Sequence, residues 1–466
     1  IRHPNAFYLR TRQRGMQNWD GKIHYITKTG QFKIGLLPKV YDMCIEMGIK
    51  PKVVDMRQPL PKVSKVVTNI GKYKLRPEQE KAVKAVINNK IGNTPFHIGV
   101  LDYTVNAGKT LIMSSLYLSY KKQLKTLLIT NDSDWLNQAR EEFKQYLPGE
   151  DITFVQGKVL NWSNFTIGMV QSISRNMRFY QKELSQIDMV LIDEADQGGS
   201  KQYQNVITRL FNTRIRIGLS GTIYMSKLAK DRVKNMNLEC FFGKVIAEFK
   251  LKDSIKKGYS TKTVVKMVPG KPWYGNWESD CISYKEIYDD SITNCYTAWL
   301  MAYNRLLWNL NQGRYPALVV CKHIAHCENL YKFFKKKLGD AYNIAYVHVN
   351  TPSKLRQQIM KDFREGKIDI LVSTTIIARG KNFPKLRYLL NAASMDSQEK
   401  SIQFLGRLVR TDKSKKKVYL DDLHYPGPYL DRHGKHRKQY YQRQELKVIL
   451  LDKLWKKHPN HSLIKS

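Results

Sequence analysis

The sequence predicts an α/β fold class: two tandem parallel sheets, preceded by a small α/β module and followed by a basic helical tail. Short apolar runs alternate with amphipathic stretches of helical length, which is typical of strands buried on both faces by crossover helices. This pattern restarts midway along the 466 residues, and a chain of that length is long enough for about three domains. We therefore expect two similar sheet domains of ~170–180 residues each.

The first predicted domain is a basic module over residues 1–68. Short strands are expected at residues 22–26, 31–36 and 53–54, with a turn at residues 28–30. Pro38 favours the start of a helix and Gly48 favours its end. Residues 1–70 contain 13 Lys or Arg against four acidic residues, a net charge of +9. A Pro-Leu-Pro linker at residues 59–61 closes the module.

The two sheet domains are predicted over residues 69–242 and 243–425. Strands of the first domain are expected at residues 98–101, 126–130, 165–170, 189–192 and 216–219. Strands of the second are expected at residues 245–249, 317–320, 344–347, 370–372, 388–390 and 417–420. Residues 426–466 form a basic extension, and residues 435–454 are predicted to be helical.

The charge balance points to a polyanionic partner. Lys and Arg number 79 against 40 Asp and Glu, so the formal net charge is +39. Such an excess self-repels unless a polyanion is near, which favours nucleic acid over a merely basic protein. No apolar run approaches the ~18 residues that would span a bilayer, and the six cysteines form no C-x-x-C pair. We therefore expect a cytoplasmic protein with no membrane partner and no metal cluster.

A phosphate-binding loop is predicted at residues 103–110, Tyr-Thr-Val-Asn-Ala-Gly-Lys-Thr, between an apolar strand and a helix. Backbone N–H groups around Ala107 and Gly108 can hold phosphate oxygens at the helix N-terminus. Lys109 would reach the β- and γ-phosphates, and the Thr110 hydroxyl would coordinate Mg²⁺. Tyr103 stands where the motif usually has its first Gly. The pattern predicts ATP and Mg²⁺ as cofactors.

Two carboxylates follow the predicted strand at residues 189–192. Ligands of open α/β sheets bind outside the carboxyl ends of the strands, so Asp193 and Glu194 are candidate catalytic groups. Asp193 would hold Mg²⁺ through water, and Glu194 would orient and deprotonate the attacking water. The alternative is an acidic turn on a solvated surface, which the scarcity of acids in this chain disfavours.

Two arginines near the end of the second sheet domain are candidates for stabilising the transferred phosphoryl group. The run at residues 403–410 is Gln-Phe-Leu-Gly-Arg-Leu-Val-Arg. Arg407 and Arg410 are three residues apart, so they are expected to share one helical face. A cation supplied to the γ-phosphoryl group is worth about 10³–10⁵ in rate. Ordinary surface arginines are the alternative in so basic a chain.

In this order the motifs resemble those of the superfamily 2 helicases and translocases, across about residues 73–411. The resemblance implies two RecA-like domains with ATP and Mg²⁺ in the cleft between them. It assigns nucleotide contacts to Arg76, Gln79, Asn106, Ala107, Gly108, Lys109, Thr110, Gly380, Asn382 and Gln403. It assigns nucleic-acid contacts to Gln138, Gln171, Thr374 and Thr375. It assigns the coupling of hydrolysis to strand movement to Ser220, Gly221 and Thr222.

The Asp-Glu-Ala-Asp run at residues 193–196 is also the signature of the DEAD-box RNA helicases. The other motifs disagree with that family, because residues 220–222 are Ser-Gly-Thr instead of Ser-Ala-Thr and the last motif has no His-Arg-x-Gly-Arg. The element at residues 75–79, Leu-Arg-Pro-Glu-Gln, has the form found in DNA-directed members. The resemblance therefore favours DNA over RNA.

The N-terminal module indicates which group of superfamily 2 helicases the chain resembles. Residues 18–23, Asn-Trp-Asp-Gly-Lys-Ile, and residues 35–38, Gly-Leu-Leu-Pro, are similar to the leading module of UvsW-type branch-migration helicases of large bacteriophages. In that family the module binds branched or duplex DNA. Phosphate contacts are therefore expected from Arg12, Arg14, Lys22, Lys28 and Lys33. The rival interpretation makes the module a packing cap on the first sheet domain.

These observations predict an ATP-dependent DNA helicase that remodels branched DNA in recombination or repair. Its partners would be single-stranded and branched DNA, with replication or recombination proteins as further candidates. The alternatives are a duplex DNA translocase that does not separate strands, an RNA helicase, and an inactive nucleic-acid-binding scaffold. The aromatic loop at residues 271–277 could be a wedge at a fork, although such a cluster more often packs against its own domain.

Overall fold

The chain folds into two compact units, Ile1–Phe249 and Lys250–Ser466. The computed structural model describes residues 18–223, 229–270, 283–378 and 383–451, together with positions 6, 10 and 11. Within these residues each unit contains one seven-stranded sheet whose neighbouring strands are all parallel. The predicted pair of parallel sheets is confirmed. Several predicted features lie outside the described residues: Arg12, Arg14, the loop at 271–277, Gly380 and Asn382.

The first unit is built on a sheet with strand order β11-β5-β10-β9-β6-β8-β7. Its strands are β1 Asn69–Ile70, β2 Tyr73–Lys74, β3 Lys90–Ile91, β4 Thr94–Pro95, β5 Ile98–Tyr103, β6 Thr126–Thr130, β7 Ile152–Val155, β8 Phe165–Met169, β9 Met189–Asp193, β10 Ile215–Ser220 and β11 Val245–Phe249. Its helices are α1 Leu37–Glu46, α2 Pro77–Ile87, α3 Lys109–Ser119, α4 Ser133–Tyr146, α5 Val170–Arg175, α6 Gln181–Ser185, α7 Lys201–Ile207 and α8 Ala229–Phe242.

The second unit is built on a sheet with strand order β14-β15-β13-β16-β17-β12-β18. Its strands are β12 Lys262–Pro269, β13 Ala317–Cys321, β14 Ile344–Val347, β15 Ile370–Thr374, β16 Tyr388–Asn391, β17 Lys417–His424 and β18 Val448–Leu450. Its helices are α9 Leu251–Lys256, α10 Tyr284–Tyr288, α11 Tyr296–Leu310, α12 Ile324–Leu338, α13 Ser353–Glu365, α14 Gln398–Leu408 and α15 Leu430–Arg443. None of the helices in the described ranges is long and apolar enough to cross a membrane.

The boundary between the two units differs from the predicted one. Residues 245–249 were expected in the second sheet domain, but β11 pairs with β5 and completes the first sheet. The Phe249 ring packs 6.0 Å from the Tyr103 ring across this pair. An edge strand is apolar in either sheet, so its own residues do not indicate which sheet it joins.

The N-terminal segment packs on the first unit instead of forming the expected short strands. Residues 22–36 contain isolated bridges and no strand; one of these bridges joins Ile26 to Phe32 around a turn closed by Thr27 and Gln31. Residues 53–54 are not a strand either. The predicted helix is present as α1, but it runs from Leu37 to Glu46, so it begins before Pro38 and ends before Gly48. Gly35 lies so close to α8 that an added Cβ would sit 2.1 Å from the carbonyl oxygen of Glu239.

The C-terminal extension is integrated into the second sheet. The helix predicted at residues 435–454 is α15, which ends at Arg443, and Val448–Leu450 form the edge strand β18 beside β12. The fully buried guanidinium of Arg437 donates from Nε to Asp422 Oδ1 at 2.9 Å, and Nη2 lies 2.8 Å from the same oxygen. Tyr441 donates to Asp422 Oδ2 at 2.7 Å. This buried pair anchors α15 to β17.

Replacing Asp422 by Ala should destabilise the second unit by about 3–5 kcal/mol, because it leaves the buried Arg437 charge without its counterion. Urea unfolding followed by circular dichroism measures the loss. The matched control is Asp340→Ala, which removes a solvent-exposed carboxylate paired with Lys335 and should leave the unfolding transition in place. A loss of less than about 1 kcal/mol for Asp422→Ala would contradict the anchoring role.

Candidate nucleotide-binding site

The predicted catalytic motifs of the first unit meet at one edge of its sheet. Strands β5, β10 and β9 lie side by side, with Ser220 opposite Asp102 and Leu219 opposite Asp193. Because the strands are parallel, their carboxyl ends open onto the same edge. The phosphate loop after β5, the carboxylates at the end of β9 and the Ser220 motif at the end of β10 are therefore neighbours.

The phosphate loop is a tight turn between β5 and α3. Asn106 and Gly108 both have left-handed backbone conformations, with φ of +65° and +73°. A Cβ on Gly108 would lie 2.3 Å from the Gln79 side-chain nitrogen, so only glycine fits there. The helix α3 begins at the next residue, Lys109. The first N–H groups of α3 have no helical acceptor and are available to an anion.

A buried glutamine braces this loop from α2. Gln79 is fully buried; its Oε1 accepts a hydrogen bond from the Arg76 N–H at 2.8 Å, and its Nε2 donates to the Ala107 carbonyl oxygen at 2.8 Å. The Arg76 guanidinium lies 3.5 Å from the carbonyl oxygen of Asn106. Arg76 and Gln79 thus hold the backbone of the phosphate loop, while their predicted contact with adenine stays a prediction.

The two carboxylates occupy different environments. Asp193 is 6% exposed, and burial raises the pKa of its carboxyl while the positive charge of Lys109 opposes that rise. Its Oδ1 accepts no hydrogen bond from any residue that the structure describes. Glu194 has φ of +51°, a left-handed conformation that costs a non-glycine residue about 1–3 kcal/mol. Such backbone strain concentrates at functional sites.

The residues present fit a magnesium ion bound together with a nucleotide. Asp193 offers a buried carboxylate oxygen that has no hydrogen-bond partner within the described ranges, and Thr110 is the second residue of α3. Mg²⁺ is usually held by one or two protein oxygens plus phosphate and water, and not by an all-protein cage. Consistent with this donor set, no group of three or more His, Cys, Asp or Glu suited to a metal occurs among the described residues.

The Ser220 motif is linked directly to the acidic motif. The Ser220 hydroxyl donates to Asp196 Oδ1 at 2.7 Å, and the Thr222 N–H donates to the Ser220 hydroxyl at 3.1 Å. The sequence motifs predict no separate role for Asp196. Its position as the fourth residue of the Asp-Glu-Ala-Asp run was the available signal. Asp196 therefore joins the predicted coupling residues to the motif that contains the predicted catalytic carboxylates.

Gln171 and Gln138 follow two further strands of the same sheet. Gln171 is the second residue of α5, directly after β8, and its Nε2 donates to the Asn131 carbonyl oxygen at 3.3 Å. Gln138 lies on α4, which follows β6, and bonds to Glu142 on the same helix. Both side chains contact protein atoms here, and their contacts with nucleic acid stay predictions.

The predicted residues of the second unit are placed by β15 and α14. Thr374 ends β15, and the Thr375 hydroxyl accepts a hydrogen bond from Lys400 Nζ at 3.1 Å. Gln403 and Arg407 lie on α14, but the helix ends at Leu408, so Arg410 does not share a helical face with Arg407. That prediction is wrong, because the chain leaves the helix after Leu408; Thr261 then donates hydrogen bonds to the carbonyl oxygens of Val409 and Arg410.

The predicted phosphate contacts of the N-terminal segment are exposed. Lys22, Lys28 and Lys33 all lie on the surface. Trp19 supports this segment, because its indole N–H donates to the Lys22 carbonyl oxygen at 2.8 Å. Gly21 has φ of +75° at the turn. Trp19 and Gly21 thus hold local structure and leave the lysine side chains accessible.

Comparisons with known proteins agree with this arrangement. Residues 72–225 match the family model described as type III restriction enzyme, res subunit, and residues 300–412 match the helicase conserved C-terminal domain. The chain is 22% identical to the ATP-dependent DNA helicase uvsW of Enterobacteria phage T4, covering 87% of this chain and 82% of the relative. It is 23% identical to a protein named helicase 22 of Sulfolobus islandicus filamentous virus, covering 76% of this chain and 64% of that relative. Among solved structures, the type ISP restriction-modification enzyme LlaBIII bound to DNA has a TM-score of 0.60 at 15% identity, covering 82% of this chain and 32% of that one.

The two sheets and the two family matches define a protein with the paired RecA-like domains of helicases. Within that class the chain belongs to superfamily 2 and resembles the UvsW-type helicases. The chain spans less than two thirds of the virus relative, 64% of its length.

Proposed function

We propose that this helicase acts on DNA, remodels branched substrates in recombination or repair, and uses ATP with Mg²⁺. The observation that carries the proposal is the meeting of the phosphate loop, Asp193 with Glu194, and the Ser220 motif at one edge of the first sheet. The choice of DNA is supported by the phage T4 relative, which is named a DNA helicase and matches over 87% of this chain. The net charge of +39 also fits a polyanionic substrate.

The residues divide the chemistry as follows. The N–H groups at the start of α3 and Lys109 bind the phosphates, and Asp193 and Thr110 would hold Mg²⁺, which supplies charge stabilisation to the transferred phosphoryl group. Glu194 orients the attacking water and takes its proton. Arg407 and Arg410 are the cations proposed to stabilise the charge that spreads over the γ-phosphoryl group.

The hydrogen bonds through Asp196 provide the route from chemistry to movement. Ser220 touches the acidic motif through Asp196 and positions Thr222 through its backbone N–H. A movement of Asp193 and Glu194 on hydrolysis would therefore be transmitted to the end of β10 directly through these hydrogen bonds. Gln138, Gln171, Thr374 and Thr375 are the proposed contacts with the nucleic-acid strand, and nucleotide contacts are further proposed for Gln403, Gly380 and Asn382.

An unwinding assay with forked, four-way and linear DNA, and with a forked RNA of the same length, tests the proposal. Branched DNA should be unwound with ATP and Mg²⁺, and linear duplex poorly. ATP hydrolysis stimulated by linear duplex without strand separation would favour the duplex translocase, which the restriction-enzyme family match also allows. Unwinding of RNA alone would overturn the choice of DNA.

Replacing Lys22, Lys28 and Lys33 together by Ala should weaken binding to forks and four-way junctions and lower the salt slope by about one unit per lost phosphate contact. Hydrolysis stimulated by single strands should be retained. Fluorescence anisotropy at two salt concentrations measures both quantities. These exposed lysines test the module better than a deletion, which would uncover the α8 surface against Gly35.

The matched control for the lysine variant is Lys81, Lys182 and Lys201 replaced together by Ala, which removes three exposed charges elsewhere in the same unit. The control should keep its junction affinity to within about twofold. If the two triple variants behave alike, the segment is a packing cap and does not grip DNA.

A further inference from the structure

A group of cations and aromatic rings lies at the amino edge of the second sheet, away from the predicted motor residues. Trp308 is near the end of α11, residues 311–316 lead into β13, and Lys417 is the first residue of β17. Thr374 and Thr375 lie at the carboxyl edge of this sheet, where β15 ends. The two groups of residues therefore occupy opposite edges of the second unit.

Next to Arg305, which lies 5.0 Å from the Trp308 ring and is paired with Asp421, three further cations surround two aromatic rings at this edge. The Trp308 side chain is 42% exposed, and Lys266 Nζ and Arg314 Cζ lie 4.8 and 4.7 Å from its ring centroid. Arg314 Cζ also lies 3.6 Å from the Tyr419 ring, and Lys417 Nζ lies 5.7 Å from it. The parallel register of β12 and β17 places Lys266, Tyr419 and Lys417 on one face of the sheet.

These cations have no acidic partner among the residues that the structure describes. Residues 291–327, which contain α11 and the loop after it, include no Asp or Glu. Asp421 lies on the same face, but it is buried and its Oδ2 already accepts from Arg305 Nη2 at 2.6 Å. Burial lowers the pKa of Lys266; Asp421 opposes this, and Arg305, Arg314 and Lys417 add to it. An anion would relieve this repulsion.

We propose that Lys266, Trp308, Arg314, Lys417 and Tyr419, the amino-edge patch, bind the sugar-phosphate backbone of a DNA arm. The three cations supply charge for phosphates, and the Trp308 ring, 42% exposed, offers a flat surface against which a sugar or base packs. The rings favour nucleic acid over an acidic polypeptide, because every nucleotide brings an aromatic base that can stack, whereas an Asp or Glu side chain brings only a carboxylate. The inference rests on the proposed action on branched DNA and adds a second contact that engages an arm outside the motor.

The test is the full chain with Lys266, Arg314 and Lys417 replaced together by Gln, titrated with a four-way junction and with a short single strand at two salt concentrations. Junction affinity should fall at least ~10-fold, and the salt slope should fall by about two to three units, close to one per lost phosphate. Hydrolysis stimulated by single strands should stay within about twofold, because the carboxyl-edge residues are unchanged.

The matched control replaces Lys332, Lys336 and Lys337 on α12 by Gln, removing three exposed charges from the same unit. Equal junction affinity and salt slope in the two variants would overturn the patch. Lys417 is exposed, so Lys417→Gln alone should not disturb the fold. It should lower the salt slope of junction binding by about one unit, which tests the patch even if the triple variant misfolds. Polyaspartate serves as the probe for an acidic polypeptide. If the triple variant loses polyaspartate binding but retains junction binding, the patch does not bind DNA and the proposal is wrong.

The proposed function can fail separately. If the wild-type chain binds junctions through the patch but neither hydrolyses ATP nor unwinds DNA, the proposed function is wrong and the DNA-binding patch is retained.

Discussion

Replacing Lys109 by Ala should reduce ATP hydrolysis at least ~10³-fold, which is the scale on which cations at a transferred phosphoryl group act. Lys109 opens α3 directly after the left-handed Gly108, and its charge reaches the buried carboxyl of Asp193. It is therefore placed to act on the phosphates and the proposed Mg²⁺ site together. Binding of DNA should be largely retained, because the exposed lysines lie elsewhere.

Steady-state hydrolysis and junction affinity measure the two expectations for Lys109→Ala, with Lys90→Ala, at an exposed position on β3, as the control. The variant also carries a pH signature. Burial raises the pKa of Asp193, and Lys109 is the charge that opposes the rise, so its removal should raise that pKa further. As the pH falls, the Lys109→Ala variant should therefore lose Mg²⁺-dependent nucleotide binding at a higher pH than the parent protein does. Near-normal turnover would remove the nucleotide site from this loop.

The core strands were predictable from the sequence because they are buried on both faces. Every residue of β6, β9 and β13 is buried, and these runs are almost continuously apolar. Strands β7, β12 and β18 were not predicted. β7 and β18 are short and partly exposed, the apolar run of β12 is interrupted by Lys266, and the residues of β18 fell inside the predicted helix at 435–454. The sheet that β11 joins depends on a long-range pairing with β5, which its own five residues do not encode.

The site followed the same division between local and long-range information. The phosphate loop and the carboxylates at the end of β9 were predictable, because each is a short sequence motif that directly follows an apolar strand. The bond from Ser220 to Asp196 and the brace from Gln79 to Ala107 join segments 24 and 28 residues apart, and no periodic pattern predicts them. The chain after the end of α14 is likewise held by Thr261, which lies 149 residues before Arg410.

Replacing Glu194 by Gln should lower hydrolysis by about 10²–10⁴-fold and leave nucleotide binding in place. The amide keeps the size and hydrogen-bonding capacity of the carboxylate but cannot take a proton from water. Asp193, whose buried Oδ1 is unchanged, would still hold Mg²⁺. The strained backbone at Glu194 supports this role, because the fold maintains φ of +51° at a non-glycine residue there.

The two carboxylates can be separated by comparing Glu194→Gln with Asp193→Asn in nucleotide-binding and single-turnover measurements. Asp193→Asn should lose Mg²⁺-dependent nucleotide affinity, whereas Glu194→Gln should bind ATP normally and fail to cleave it. Glu194→Gly adds a further control, since glycine adopts the left-handed conformation without strain. Glu194→Gly should be at least as stable as the parent protein, because the backbone strain is removed. It should be as inactive as Glu194→Gln, because the carboxylate is lost. If Glu194→Gln folds but no longer binds nucleotide, the carboxylate roles are reversed and Glu194 belongs to the magnesium site.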